Sequence, residues 1–263
     1  MQQDVFQHTF SNGLTLLAER MEHVRSAAFN FLVPAGSVHD PNEHLGLGSV
    51  LADLITRGAG ERDSRALALA LDNLGVDRGE SVGSMHMRFW GGTLSRNLAD
   101  VLALYADILR RPRLPAEDLP AVQALALQDL QSLEDEPRSK LLVELRQRFF
   151  SFPLGRDRRG TKEGIEGLTR DVIYKQYLRL FQPKSCILSV AGNFDWNHIR
   201  DTVEQHFGDW SPLVPPDVTP NRQPPTTLHM PKETTQTQIG IAYPSVPVGH
   251  DDYYAAMGAV NVL

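Results

Sequence analysis

Cysteine is almost missing from this chain. Cys186 is the only one among 263 residues, so no disulfide can close within the chain. It lies in the apolar run "SCILSVAGNF" and reads as a buried structural thiol, which suits a reducing compartment. Long apolar runs are missing as well, and none approaches the length needed to cross a bilayer. The first residues, "MQQDVFQHTFSNGLTLLAER", lack the basic segment, apolar core and small-residue cleavage site of a signal peptide. Concentrated positive charge is also missing. The net charge is −6 and the pI about 5.8, so nothing points to nucleic acid. The densest basic run, Arg156, Arg158 and Arg159, is short and reads as a solvated turn. These absences leave a soluble cytoplasmic protein, without nucleic-acid or membrane partners, as the expectation.

What is present has globular composition. The chain is 41% hydrophobic and 22% charged, long enough for one large or two modest cores. Asn12-Gly13 is a hairpin signal, followed by a strand in which Leu14, Leu16 and Ala18 alternate. Residues 26–34 form a second strand. The polar loop "SVHDPNEH" leads to a helix over about 44–56, with Leu47, Val50, Leu51, Leu54 and Ile55 at helical spacing. Ser64–Leu74 is a second helix, capped by Asp63 or Ser64 and ended at Gly75. "DRGESVGSMHMRFWGGTL" reads as a two-stranded hairpin. Alternation places His86, Arg88 and Trp90 on one face and Met85, Met87 and Phe89 on the other. Helices are expected over about 95–110, 116–135 and 138–151. A loop follows from 153 to 167, then a helix at 169–181, a strand at 185–192 and a helix at 195–207.

Seven prolines between Pro212 and Pro231 break any regular element. This divides the chain into a first domain over 1–210, a linker over 211–231, and a segment over 232–263. That last segment, like residues 24–54, runs strand, proline, polar loop with His-Asp, helix, so that Pro34 corresponds to Pro244. It reads as the truncated start of a second, similar domain, and the chain as a fragment of a longer protein.

Several stretches together resemble the pitrilysin/insulinase family of zinc metallopeptidases, which includes the mitochondrial processing peptidase. They are "FSNGLTLL", "VPAGSVHDPNEHLGLGSVLADLITRGAG", "EDEPRSK", the run from "FPLGRDRRGTKEGIEGL" to "HFGDW", and the proline-rich linker. The resemblance implies an α/β fold of the α+β kind: a repeated domain of mostly antiparallel sheet covered by helices, two of which make a half-shell around a peptide. Active members carry H-x-x-E-H on the first long helix, two His for zinc and a Glu as general base. A Glu on a later helix completes the site. The match places Ser49, Ala52 and Asp53 at the three motif positions and Asp129 at the later one. None of the four family residues is present. Losing a general base typically costs 10²–10⁴-fold, and losing both imidazoles removes the reason for zinc to bind.

No catalytic residue and no cofactor is therefore expected in this chain. Asp53, Asp129 and Ser49 read as polar residues lining a wet cavity rather than as a site for a harder cation. His39 and His44 are five apart, around Pro41, and read as a capping segment, with Asp40 or Asn42 leading into the helix. The resemblance implies that sheet edges near this helix bind peptide as an added strand, which makes His86, Arg88 and Trp90 candidate substrate contacts. The expected function is that of a non-catalytic subunit or homologue, shaping a peptide chamber for an active sister chain that carries the zinc. A free-standing binding module and an active endopeptidase are the alternatives.

Overall fold

Apolar residues at every second position, Leu14, Leu16 and Ala18, then Ala27, Phe29, Phe31 and Val33, give two strands one buried face, and that face organises the rest of the molecule. The computed structural model describes residues 4–212, 218–219, 222–224, 226–232 and 236–262. The strands are β1 (Asp4–Thr9), β2 (Thr15–Arg20), β3 (Ser26–Val33), the short pair β4 (Gly58–Ala59) and β5 (Arg62–Asp63), β6 (Asp77–Val82), β7 (Met87–Leu94) and β8 (Ile187–Gly192). The helices are α1 (Leu47–Leu54), α2 (Ser64–Asn73), α3 (Leu98–Arg110), α4 (Leu119–Ser132), α5 (Pro137–Phe149), α6 (Lys162–Glu166), α7 (Arg170–Leu180), α8 (Trp196–Phe207) and α9 (Tyr253–Val262).

Six strands form one sheet in the order β1-β2-β8-β3-β7-β6. Every neighbouring pair is antiparallel except β2 with β8. Register aligns the apolar rows. Leu16 faces Leu188, Leu188 faces Phe31, Phe31 faces Phe89, and Phe89 faces Glu80 at the edge. Phe29, Phe31, Val33, Leu16, Leu188, Met87 and Phe89 are all buried under the helices. Tyr105 of α3 stacks against Phe31 and meets Phe29 edge-to-face, and Phe207 of α8 closes on Phe31. This is the mostly antiparallel sheet with helical cover that the sequence implies. Arg88 and Trp90 fall on the opposite, outer face, because alternate residues point to opposite sides of a strand.

Local signals explain the element ends. Asp63 caps α2 by accepting the Ala66 amide at 2.8 Å, and Thr169 caps α7 by accepting that of Val172. Gly46 has φ of +100°, and a Cβ there would lie 2.6 Å from the Arg159 carbonyl oxygen, so only glycine fits ahead of α1.

Four readings need correction. Residues 153–167 are not all loop, since α6 occupies 162–166 under a Thr161 cap; five residues are too few to show a helical period. The arginine run is not a solvated turn: Arg156 donates to the carbonyls of Ser37 and Asp40, and Arg159 pairs with Asp129 and Asp157. β7 begins at Met87, so His86 lies in the preceding turn, where its carbonyl accepts the Gly83 amide, and Met85 is exposed instead of sharing the buried face of Met87 and Phe89. Finally, residues 236–244 carry no strand, and Ile239, Ile241 and Tyr243 stay exposed. An alternating segment becomes a strand only when a ladder partner accepts its amides. Of the linker, Pro215, Pro216, Pro220 and Pro225 lie outside the described residues. No helix among the described residues is long and apolar enough to cross a membrane.

Candidate functional site

The first long helix, α1, lies between the sheet edge at β6 and the helices α4, α6 and α7. Its apolar side, Leu47, Val50, Leu51 and Leu54, is fully buried. That burial sets the rotation of the helix and leaves Ser49 and Asp53 half-buried on the other side. Its start is held by the loop before it. The Asp40 carboxylate accepts the amides of Gly46 and Gly48, each at 3.0 Å, doing with a side chain what a residue at the helix end would do. Asp40 is the capping residue of the loop; Asn42 makes no such bond.

None of the four motif positions is free to serve a zinc site. Ser49 Oγ donates to the Arg158 carbonyl at 2.8 Å. Ala52 is 5% exposed and offers only a methyl group. Asp53 Oδ1 accepts from Arg57 Nε at 2.7 Å, one helical turn on. Asp129, on α4, faces Arg159 Nε at 3.3 Å with its carboxylate two-thirds exposed. A catalytic zinc takes three protein ligands, typically imidazole nitrogens with a carboxylate, and keeps a fourth position open. A hydroxyl and two carboxylates, each already paired with a guanidinium or a carbonyl, do not fit it. Arg159 also sets a positive charge against Asp129, which a bound cation would have to displace. Among the described residues no three His, Cys, Asp or Glu side chains converge as a metal set.

A second titratable group lies under the start of α1. Burial pushes the His39 pKa down to about 4, helped by the charges of Arg179, Arg156 and His86. Burial pushes the Asp40 carboxyl up to about 7, against the pull of the Gly46 and Gly48 amides and of Arg156. The His39 carbonyl accepts from Gln176 and Arg179 of α7. These contacts hold the "SVHD" loop in place and identify it as structural support for α1.

Of the three candidate substrate contacts, Arg88 donates to Asn30 Oδ1 at 2.6 Å, and Trp90 lies across Gly79 of β6, where an added Cβ would meet its ring at 2.5 Å. Both are on the outer face of the sheet, with His86 in the turn beyond. They are therefore next to the edge strand but on the other side of the sheet from Ser49 and Asp53. Among the described residues β6 pairs only with β7 and presents an unpaired edge. Sequence reasoning missed Arg159, whose place beside Asp129 was hidden in a run of basic residues, and Glu80, the polar residue that interrupts the buried row at the edge.

The model described as "Insulinase (Peptidase family M16)" matches residues 15–162, and that of the "Peptidase M16 inactive domain" matches residues 167–263. An uncharacterized zinc protease of Mycobacterium leprae is 26% identical over 201 residues, 76% of this chain and 45% of that protein. The probable mitochondrial-processing peptidase subunit beta of Schizosaccharomyces pombe is 23% identical over 95% of this chain and 56% of its own length. The crystal structure of a peptidase M16 inactive domain from Pseudomonas fluorescens superposes with a TM-score of 0.74 at 18% identity, covering 82% of this chain and 53% of that one. The chain thus spans about half the length of these relatives.

Proposed function

Because this chain belongs to the insulinase family of peptidases, peptidase family M16, we propose that it serves as a non-catalytic subunit that binds peptide and shapes a chamber for an active sister chain. The observation that carries the reading is Ala52. At the position of the family's general base stands a buried methyl group, and the carboxylates at the other motif positions, Asp53 and Asp129, are held by Arg57 and Arg159. A zinc-bound water would have no group here to take its proton.

What remains useful is surface. The free edge of β6 offers backbone donors and acceptors to an extended peptide, which would continue the sheet as a seventh strand. Alternate side chains of that peptide then point to the two faces: one row toward α1, the other toward Trp90, Arg88 and His86. The zinc is carried by the partner, in its own intact H-x-x-E-H.

The test is to express this chain, in its full-length form, with a family relative that has the intact motif. Peptide cleavage and co-elution are compared between mixed and separate samples. Co-elution with faster cleavage supports the subunit reading. A relative that is fully active alone and never co-elutes overturns it in favour of a free-standing binding module. Turnover by the purified chain alone would overturn both.

A further inference from the structure

A pocket of about 280 Å³ lies where the 155–159 loop passes between α5 and the turn that joins β6 to β7. Four arginines line it: Arg146 from α5, and Arg156, Arg158 and Arg159 from the loop. Asp157 is the one carboxylate that lines it with them. In a chain of net charge −6, this is a local excess of positive charge. The protein satisfies these guanidinium groups only in part. Arg159 takes Asp157 at 3.3 Å and also faces Asp129. Arg146 donates to Ser84 Oγ and to the Leu154 carbonyl, both neutral acceptors. Arg156 donates to the carbonyls of Ser37 and Asp40, and its buried Nε has no hydrogen-bond partner. The Arg158 side chain is exposed and meets no partner among the described residues. No carboxylate among the described residues forms an ion pair with Arg146, Arg156 or Arg158. Carbonyls and a hydroxyl fill donor positions but leave a guanidinium's charge in place.

We propose that this pocket binds a phosphate group, either free or as the end of a small phosphate monoester, held by the charges of Arg146, Arg156 and Arg158. A carboxylate would cancel one of these three charges. A phosphate monoester carries about −1.5 to −2 at neutral pH and offers three strong acceptor oxygens, and the planar fork of arginine matches it through two parallel hydrogen bonds. The pocket is small beside the usual range for ligand clefts, which suits a compact anion. The state of Arg156 agrees with the assignment: burial lowers its pKa, and Asp40 only partly offsets this. A dianion nearby supplies the missing counter-charge. Because α5, the loop and the turn all line the pocket, a bound phosphate ties the three together. The assignment is independent of peptide binding at β6.

The test titrates inorganic phosphate, glycerol 3-phosphate and succinate into the whole chain by isothermal calorimetry at constant ionic strength. Saturable binding of the two phosphates is expected, with succinate at least about tenfold weaker. Tighter binding of the monoester assigns a phosphorylated ligand, and equal binding assigns free phosphate. Arg158→Ala removes a side chain that the fold does not use, so its urea midpoint should match that of the unmodified chain while phosphate binding weakens about tenfold. In the unmodified chain, phosphate should also slow tryptic cleavage after Arg156 and Arg158, a readout that needs no variant. Succinate binding as tightly as phosphate overturns the phosphate assignment. Absence of saturable phosphate binding, or binding untouched by Arg158→Ala and by Arg146→Ala, overturns the site.

Discussion

Ala52→Glu puts a carboxylate back where a general base would stand, yet Ser49 still holds the Arg158 carbonyl and Asp53 still holds Arg57. The variant is expected to cleave no peptide, even with added zinc, and metal analysis of the dialysed chain should find zinc well below one per molecule. A stoichiometric zinc would contradict the assignment of these positions. His39 and Asp40 make a second prediction at this scale. In the fold His39 stays neutral down to about pH 4, against an ordinary 6.5, so its contribution is present above pH 6.5 and is lost as pH falls through 4. Asp40 titrates at about 7, against 3.8, so its contribution is full below pH 3.8 and is lost as pH rises through 7. Between about pH 4 and 6.5 the two slopes oppose each other. His39→Gln should expose the Asp40 slope, with urea midpoints falling as pH rises from 4 to 7. Asp40→Asn should expose the reverse slope. Parallel profiles for both variants would sink the account.

At the scale of elements, α1 depends on the chain that crosses its start. Gly46→Ala would force a side chain into positive φ and against the Arg159 carbonyl. The expected cost is about 1–3 kcal/mol, with faster tryptic cleavage at Arg158 as that segment lifts. The sheet depends on its central row. Phe31 is fully buried among Leu188, Phe89, Tyr105 and Phe207, and Phe31→Ala should cost about 3–5 kcal/mol in urea unfolding. The central strands β2, β3, β7 and β8 and the helices α1, α3 and α8 are legible in the sequence, because each repeats its apolar residues at its own period, whereas β1, with Val5 and Phe6 adjacent, carries no such signal. The five-residue α6 is not legible, being shorter than two turns, and neither is the missing strand at 236–244, whose alternation is real but lacks a partner to pair with.

For the whole molecule, two faces remain open. The outer side of the sheet exposes Val5 and Trp90 around the groove formed with Leu17 and Ala28, and α9 has no buried side chain. The linker touches the first domain at the Phe150–Arg222 bridge, and the segment after it does so where Lys232 donates to the Glu134 carbonyl and where Gly240 lies against Leu141 and Leu145 of α5. Truncation after Gln223 is therefore expected to shift the stability of the remaining chain by about 1 kcal/mol at most, measured by urea denaturation. A much larger loss would mean that the last segment belongs to the first domain rather than to a second, as the division at 210 and 232 proposes.

The sequence by itself determined the family, most strands of the sheet and the identity of the residues at the four motif positions, since those follow from local order: which residue type stands at which step of a helix or strand. Ser49, Ala52 and Asp53 can be read as lacking zinc chemistry without coordinates, because spacing along one helix already puts them on one side. The partners of those residues were decided only by the tertiary structure. Arg159 reaches Asp129, and Arg158 reaches Ser49, across stretches of chain that carry no periodic signal linking them. The same holds for the arginine pocket, which exists only because folding sets the 155–159 loop beside α5 and the turn after β6. A charged group is free or paired according to what folding brings within a few ångströms of it, and that distance is a property of the packed chain.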